Sequence, residues 1–133
     1  MIEVDHLEKI VDTRTVLAIE RWTVAPGEIA AVVGPSGSGK TTLLQLLAGE
    51  TAPSGGTVRI GGRPPQAARA TMGLAWTDDL LYDRATVREN LLFYAGLRGV
   101  TRQEVDAVLA RVHLSDQANT RAAKLAAPLK RRI

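Results

Sequence analysis

The sequence predicts an α/β fold, a core of strands and helices that passes into a helical segment after about residue 86. Three observations predict it. Glu28-Ile-Ala-Ala-Val-Val33 is a short apolar run of the kind that forms a strand buried on both faces. The glycine-rich stretch Gly34-Pro-Ser-Gly-Ser-Gly-Lys-Thr41 follows directly and leads into residues 41–48, a run of good helix formers closed by Gly49. Thr86-Val-Arg-Glu89 and Thr101-Arg-Gln-Glu104 are both capping boxes, in which threonine and glutamate satisfy each other's orphan N–H groups, and they predict helices near 87–96 and 102–112.

The remaining elements follow from local chemistry. Residues 2–4 and 16–24 alternate apolar and polar side chains around the turn-prone Asp12-Thr13-Arg14, which predicts an antiparallel strand group ahead of the glycine loop. Pro26-Gly27 turns the chain into the apolar run. Pro53-Ser-Gly-Gly56 and Gly61-Gly62 are turns that bracket a short strand at 57–60. Residues 64–70 read as a helix with proline in its first turn, and Met72-Gly-Leu-Ala-Trp76 as a second buried strand. Two regions result: 1–86, the N-terminal part of a core built around the glycine loop, and 87–133, the start of a helical subdomain.

Composition narrows the function. A chain of 133 residues is one ordinary domain, of a size that buries roughly two thirds of its unfolded surface. Seventeen basic against 14 acidic side chains leave a formal charge of +3, too small a surplus to predict nucleic acid as a partner. Cysteine is absent, which excludes disulfides and thiolate metal sites. No signal segment and no apolar run long enough to cross a bilayer is visible, so the expectation is a soluble cytoplasmic protein.

Residues 34–41 fill the pattern G-x-x-x-x-G-K-[ST] without a mismatch. Strand, glycine turn and helix N-terminus are the parts a triphosphate cradle needs, because the first helical N–H groups lack internal partners and the helix dipole is positive there. Gly34, Gly37 and Gly39 are expected to turn with positive φ and to admit an anion without a Cβ in the way. Pro35, Ser36 and Ser38 complete the loop, and amides from Gly37 to Thr42 point inward at phosphate oxygens. Lys40 reaches the β- and γ-phosphates, and the Thr41 hydroxyl completes the shell of a Mg2+ ion. Charge-assisted hydrogen bonds of about 1.5–3 kcal/mol each outweigh a dipole contribution of roughly 0.3–2 kcal/mol, so the amides and Lys40 dominate affinity for a nucleotide.

With these elements in place, the chain resembles the nucleotide-binding subunit of ATP-binding cassette transporters, in its N-terminal portion. The matching stretches are Val24-Ala-Pro-Gly-Glu28, residues 34–44, Leu47-Ala-Gly49, Pro53-Ser-Gly-Gly-Thr-Val58 and Thr86-Val-Arg-Glu-Asn-Leu91. Residues 90–99 look most similar to members serving drug, lipid or polysaccharide efflux. The resemblance implies a Mg-ATP-binding engine that drives a separate transmembrane transporter subunit, works against a second nucleotide-binding subunit and sits at the inner face of the membrane.

Departures from the family pattern are as informative. The adenine-stacking position falls on Val11 rather than an aromatic residue, forgoing stacking worth roughly 1–3 kcal/mol. The glutamine that links the γ-phosphate to the helical subdomain is replaced by Thr77, a shorter side chain that still offers a hydroxyl to Mg2+. The signature turn Leu-Ser-Gly-Gly-Gln is replaced by Leu125-Ala-Ala-Pro-Leu129, in which Ala126 lacks a hydroxyl and Pro128 lacks an N–H. The sequence stops at Ile133, before the second acidic strand, its catalytic glutamate and the switch histidine. Catalytic residues are therefore unassigned. The alternatives to a transporter subunit are a non-hydrolysing or degenerate nucleotide-binding protein, or a stand-alone phosphate-loop NTPase or kinase that uses Asp78 and Asp79 for Mg2+. His6 and His113 read as surface or helix-end residues and Trp22 and Trp76 as core fillers. Arg121, Lys124, Lys130, Arg131 and Arg132 read as a solvated face.

Overall fold

The structure is a computed structural model that describes residues 1–76 and 80–133. The chain divides into two units, Met1–Ala75 and Trp76–Ile133. The first is built on strands β1 (Ile2–Val11) and β2 (Arg14–Val24), helix α1 (Lys40–Leu47), strand β3 (Gly55–Ile60) and the short helix α2 (Pro65–Ala68). The strands form one antiparallel sheet in the order β2-β1-β3. Asp12 and Thr13 both take positive φ, 46° and 69°, which closes the β1–β2 hairpin in the left-handed turn that matches strand twist. His6 also has positive φ, 46°, and the β1–β3 register shifts between Asp5 and Glu8. This bulge lets Val4 and Leu7, three positions apart, join the same core as Leu43, Leu46 and Leu47 of α1 and Val58 of β3.

The predicted strands at 28–33 and 72–76 do not form. Both stretches lack ladder pairing, and Ile29 and Val33 are 96% and 87% exposed. A strand buried on both faces exists only between neighbours, and among the described residues no strand lies beside either stretch. The predicted helix at 64–70 is shorter, ending at Ala68 and tightening into a 3-10 turn over Arg69–Thr71.

The second unit holds α3 (Val87–Gly96), α4 (Arg102–Arg111) and α5 (Ala127–Lys130). Both capping boxes are present, with Thr86 accepting from the Glu89 amide and Thr101 from the Glu104 amide. Hydrogen bonds from the Thr86 N–H, then from its hydroxyl, hold the Glu89 carboxyl below its ordinary range, and Thr101 does the same for Glu104. Two further amides of the first turn of α3 donate to the chain, Val87 to Thr120 O at 3.0 Å and Arg88 to Ala118 O at 2.9 Å. Val87, Ala95, Val105, Leu109, Leu114, Ala118 and Leu125 make the core, and an Arg88–Asp106 ion pair ties α3 to α4. Asn90 is fully buried; its Oδ1 accepts from Tyr82 N at 2.7 Å, and its Nδ2 donates to Tyr82 O at 3.1 Å and Thr86 O at 2.9 Å.

Candidate nucleotide site

Helix α1 begins where the glycine loop ends, and the loop's geometry explains its composition. Gly39, the N-cap, has φ 86°, and a Cβ there would stand 2.8 Å from Val16 O. Gly37 has φ 79° with open space around it, so its requirement is conformational. Gly34 departs from expectation: its φ is not positive, and a Cβ there would lie 2.7 Å from Ser38 Oγ, so a larger residue would have to turn that hydroxyl aside.

Lys40 folds back over the loop. Its ammonium donates to Gly34 O at 2.9 Å, Pro35 O at 2.7 Å and Ser38 Oγ at 3.3 Å. These oxygens use all three of its protons, so a phosphate arriving at this point replaces one of them, and the 3.3 Å bond to the hydroxyl is the weakest to exchange. Val16, Ser36, Gly37, Gly39, Lys40, Thr41 and Thr42 line one cleft of about 570 Å3, inside the ~300–1,000 Å3 range of small-molecule sites. The exposed Thr41 hydroxyl stands on the first turn of α1, one residue from the ammonium. A polyanion with a divalent ion fits this donor set.

Val16, which no local sequence signal marks, lines the cleft, while Val11 is 46% exposed at the end of β1. Val16 enters because the β1–β2 hairpin carries it against Gly39, a long-range contact that spacing alone does not reveal. Thr77, Asp78 and Asp79 lie outside the described residues. At 125–129, Leu125 is buried, Ala126 caps α5, and Pro128 falls in that helix's first turn. His6 and His113 are exposed, and among the described residues no cluster of His, Cys, Asp and Glu could hold a metal ion. Trp22 packs against the first core as a filler; Trp76 is half-buried. Among the described residues no helix is long and apolar enough to cross a membrane.

Glycine loop, helix N-terminus and returning lysine meet in one cleft, the arrangement a phosphate loop requires, and the family follows from comparison. Residues 18–133 fit the model of the ABC transporter family, and the chain belongs to it. It is 37% identical over 140 residues to Nod factor export ATP-binding protein I of Paraburkholderia xenovorans, covering 99% of this chain and 46% of that one. It is 38% identical over 122 residues to the taurine import ATP-binding protein of Pseudomonas entomophila, covering 89% and 47%. The chain thus spans about half the length of these relatives. In fold it is similar to cbiO1 of Clostridium perfringens, part of the ABC transporter complex cbiONQ, with TM-score 0.86 and 23% identity over 98% of this chain and 57% of that one. An ATP-binding subunit of another ABC transporter superposes with TM-score 0.82 and 24% identity, over 98% and 58%.

Proposed function

We propose that this chain forms the ATP-binding N-terminal portion of a transporter's nucleotide-binding subunit. The observation that carries the reading is the Lys40 ammonium held over the loop, at the N-terminus of α1 and in a single cleft with it. Mg-ATP is the ligand: loop amides and Lys40 take the β- and γ-phosphates, and the Thr41 hydroxyl takes Mg2+. When bound, the metal neutralises phosphate charge and orients the γ-phosphate. Pro35, Ser38 and Thr42 shape the cradle, and Val11 and Val16 flank the base. Binding energy is passed to a separate transmembrane partner and to a second nucleotide-binding subunit. Relatives include an exporter component and an importer component; the efflux-like residues 90–99 favour export.

Turnover by this chain alone is expected to be at background, because Ala126 and Pro128 supply neither the hydroxyl nor the N–H of the signature turn. Titration calorimetry with Mg-ATP tests the binding step. Heat is expected from the chain and not from its Lys40→Ala variant, while Thr41→Ala should abolish the gain that Mg2+ brings and keep metal-free binding. Equal heat from the chain and from Lys40→Ala refutes the reading.

A further inference from the structure

Helix α1 has two ends, and the far one is held as specifically as the phosphate end. Gly49 takes φ 68°; its amide donates to Leu46 O at 3.1 Å, and the Glu50 amide donates to Gln45 O at 2.9 Å, closing the paired bonds of a glycine C-cap. That leaves the Ala48 and Gly49 carbonyls. The Arg69 guanidinium takes both, Nε donating to Ala48 O at 3.1 Å and Nη2 to Gly49 O at 2.7 Å. A cation there also lies at the negative end of the helix dipole. The fit is close on the backbone side as well, since a Cβ on Gly49 would meet Gln66 N at 3.0 Å and Pro65 Cβ at 3.1 Å. Arg69 therefore belongs to a buckle, formed by α2 and its 3-10 extension, that grips the C-terminal end of α1.

We propose that Arg69 is a positioning residue for phosphate binding, holding α1 at the axial position that places its N-terminal amides, Lys40 and Thr41 around one cleft. The inference rests on the nucleotide reading above. An eight-residue helix is a short rigid rod, so a slip or tilt at Ala48 is carried to Lys40 along the same hydrogen-bonded ladder. Arginine suits the task because its planar fork spans two carbonyls at once, which a lysine ammonium does with poorer geometry.

The test is titration calorimetry of the chain and its variants with Mg-ATP and, separately, with inorganic tripolyphosphate. Arg69→Gln is expected to weaken both ligands by the same factor, about fivefold to tenfold, with Arg69→Lys recovering part of the loss while staying more than about twofold weaker than the parent. Lys9→Ala is the stability control: Lys9 Nζ donates to Thr51 Oγ1 at 2.9 Å and Ala52 O at 2.8 Å, anchoring the same connection away from α1. It should lower the melting temperature and leave both affinities unchanged. Affinity in Arg69→Gln within about twofold of the parent overturns the proposal, as does an equal loss in Lys9→Ala. If Arg69→Gln does not fold, Arg69→Lys decides by the same threshold. Absence of binding by the unsubstituted chain overturns the nucleotide reading and this inference together, whereas parental binding unaffected by Arg69→Gln overturns this one alone.

Discussion

The Cβ that Gly39 lacks would stand 2.8 Å from the carbonyl oxygen of Val16, so the phosphate loop and the β1–β2 hairpin meet at a point where only hydrogen fits. Gly39 also sits at φ 86°. Gly39→Ala should cost about 1–3 kcal/mol in backbone strain and displace Val16 or Lys40 from the cleft. Urea unfolding and Mg-ATP titration read the two effects; full parental affinity in this variant would show the contact to be dispensable.

Val16 makes the cleft wall aliphatic, and neither it nor Val11 offers a π-face to a base. On the proposed placement of the base, stacking of about 1–3 kcal/mol is forgone. Mg-ATP and Mg-GTP should bind with similar affinity, and Val11→Tyr should tighten both. A large preference of the parent for one base would contradict this.

Asn90 joins the loop at Tyr82 to the first turn of α3 from a fully buried position. Asn90→Ala leaves the Tyr82 N–H without its partner, and Asn90→Asp sets a carboxylate against carbonyl oxygens. Burying one such unpaired group costs about 1–3 kcal/mol. Asn90→Ala should lose at least that much on chemical denaturation, and Asn90→Asp more at neutral pH than at acid pH.

Glu89 and Glu104 titrate below the ordinary 4.5 because the Thr86 and Thr101 N–H groups bond the ionised carboxylates. Folding therefore favours the charged form. Stability from both boxes is complete above pH 4.5 and declines as pH falls through the lowered values. Helical circular dichroism followed against pH should show this acid limb, and Glu89→Gln with Glu104→Gln should flatten it, since glutamine keeps the box without titrating. An unchanged limb would assign acid loss to other carboxylates.

Local chemistry was legible residue by residue. Thr86 and Thr101 announced α3 and α4 because a capping box is complete within four residues. Asp12-Thr13 announced a hairpin for the same reason. The apolar run at 28–33 was read correctly as wanting burial and wrongly as having it, since periodicity reports appetite for a neighbour and says nothing of whether one is present. The bulge at His6 was silent, as a strand-interior histidine carries no signal for positive φ.

By itself, then, the amino-acid order determined the glycine loop, the helix that follows it and the two capped helices beyond, all set by interactions between residues a few positions apart. The tertiary structure alone decided that Val16 meets Gly39 at the cleft, that Gly34 does not take positive φ, and that Arg69 grips the far end of α1. Each of these depends on a contact between segments distant along the chain, and such contacts exist only once the hairpin and α2 have packed against α1.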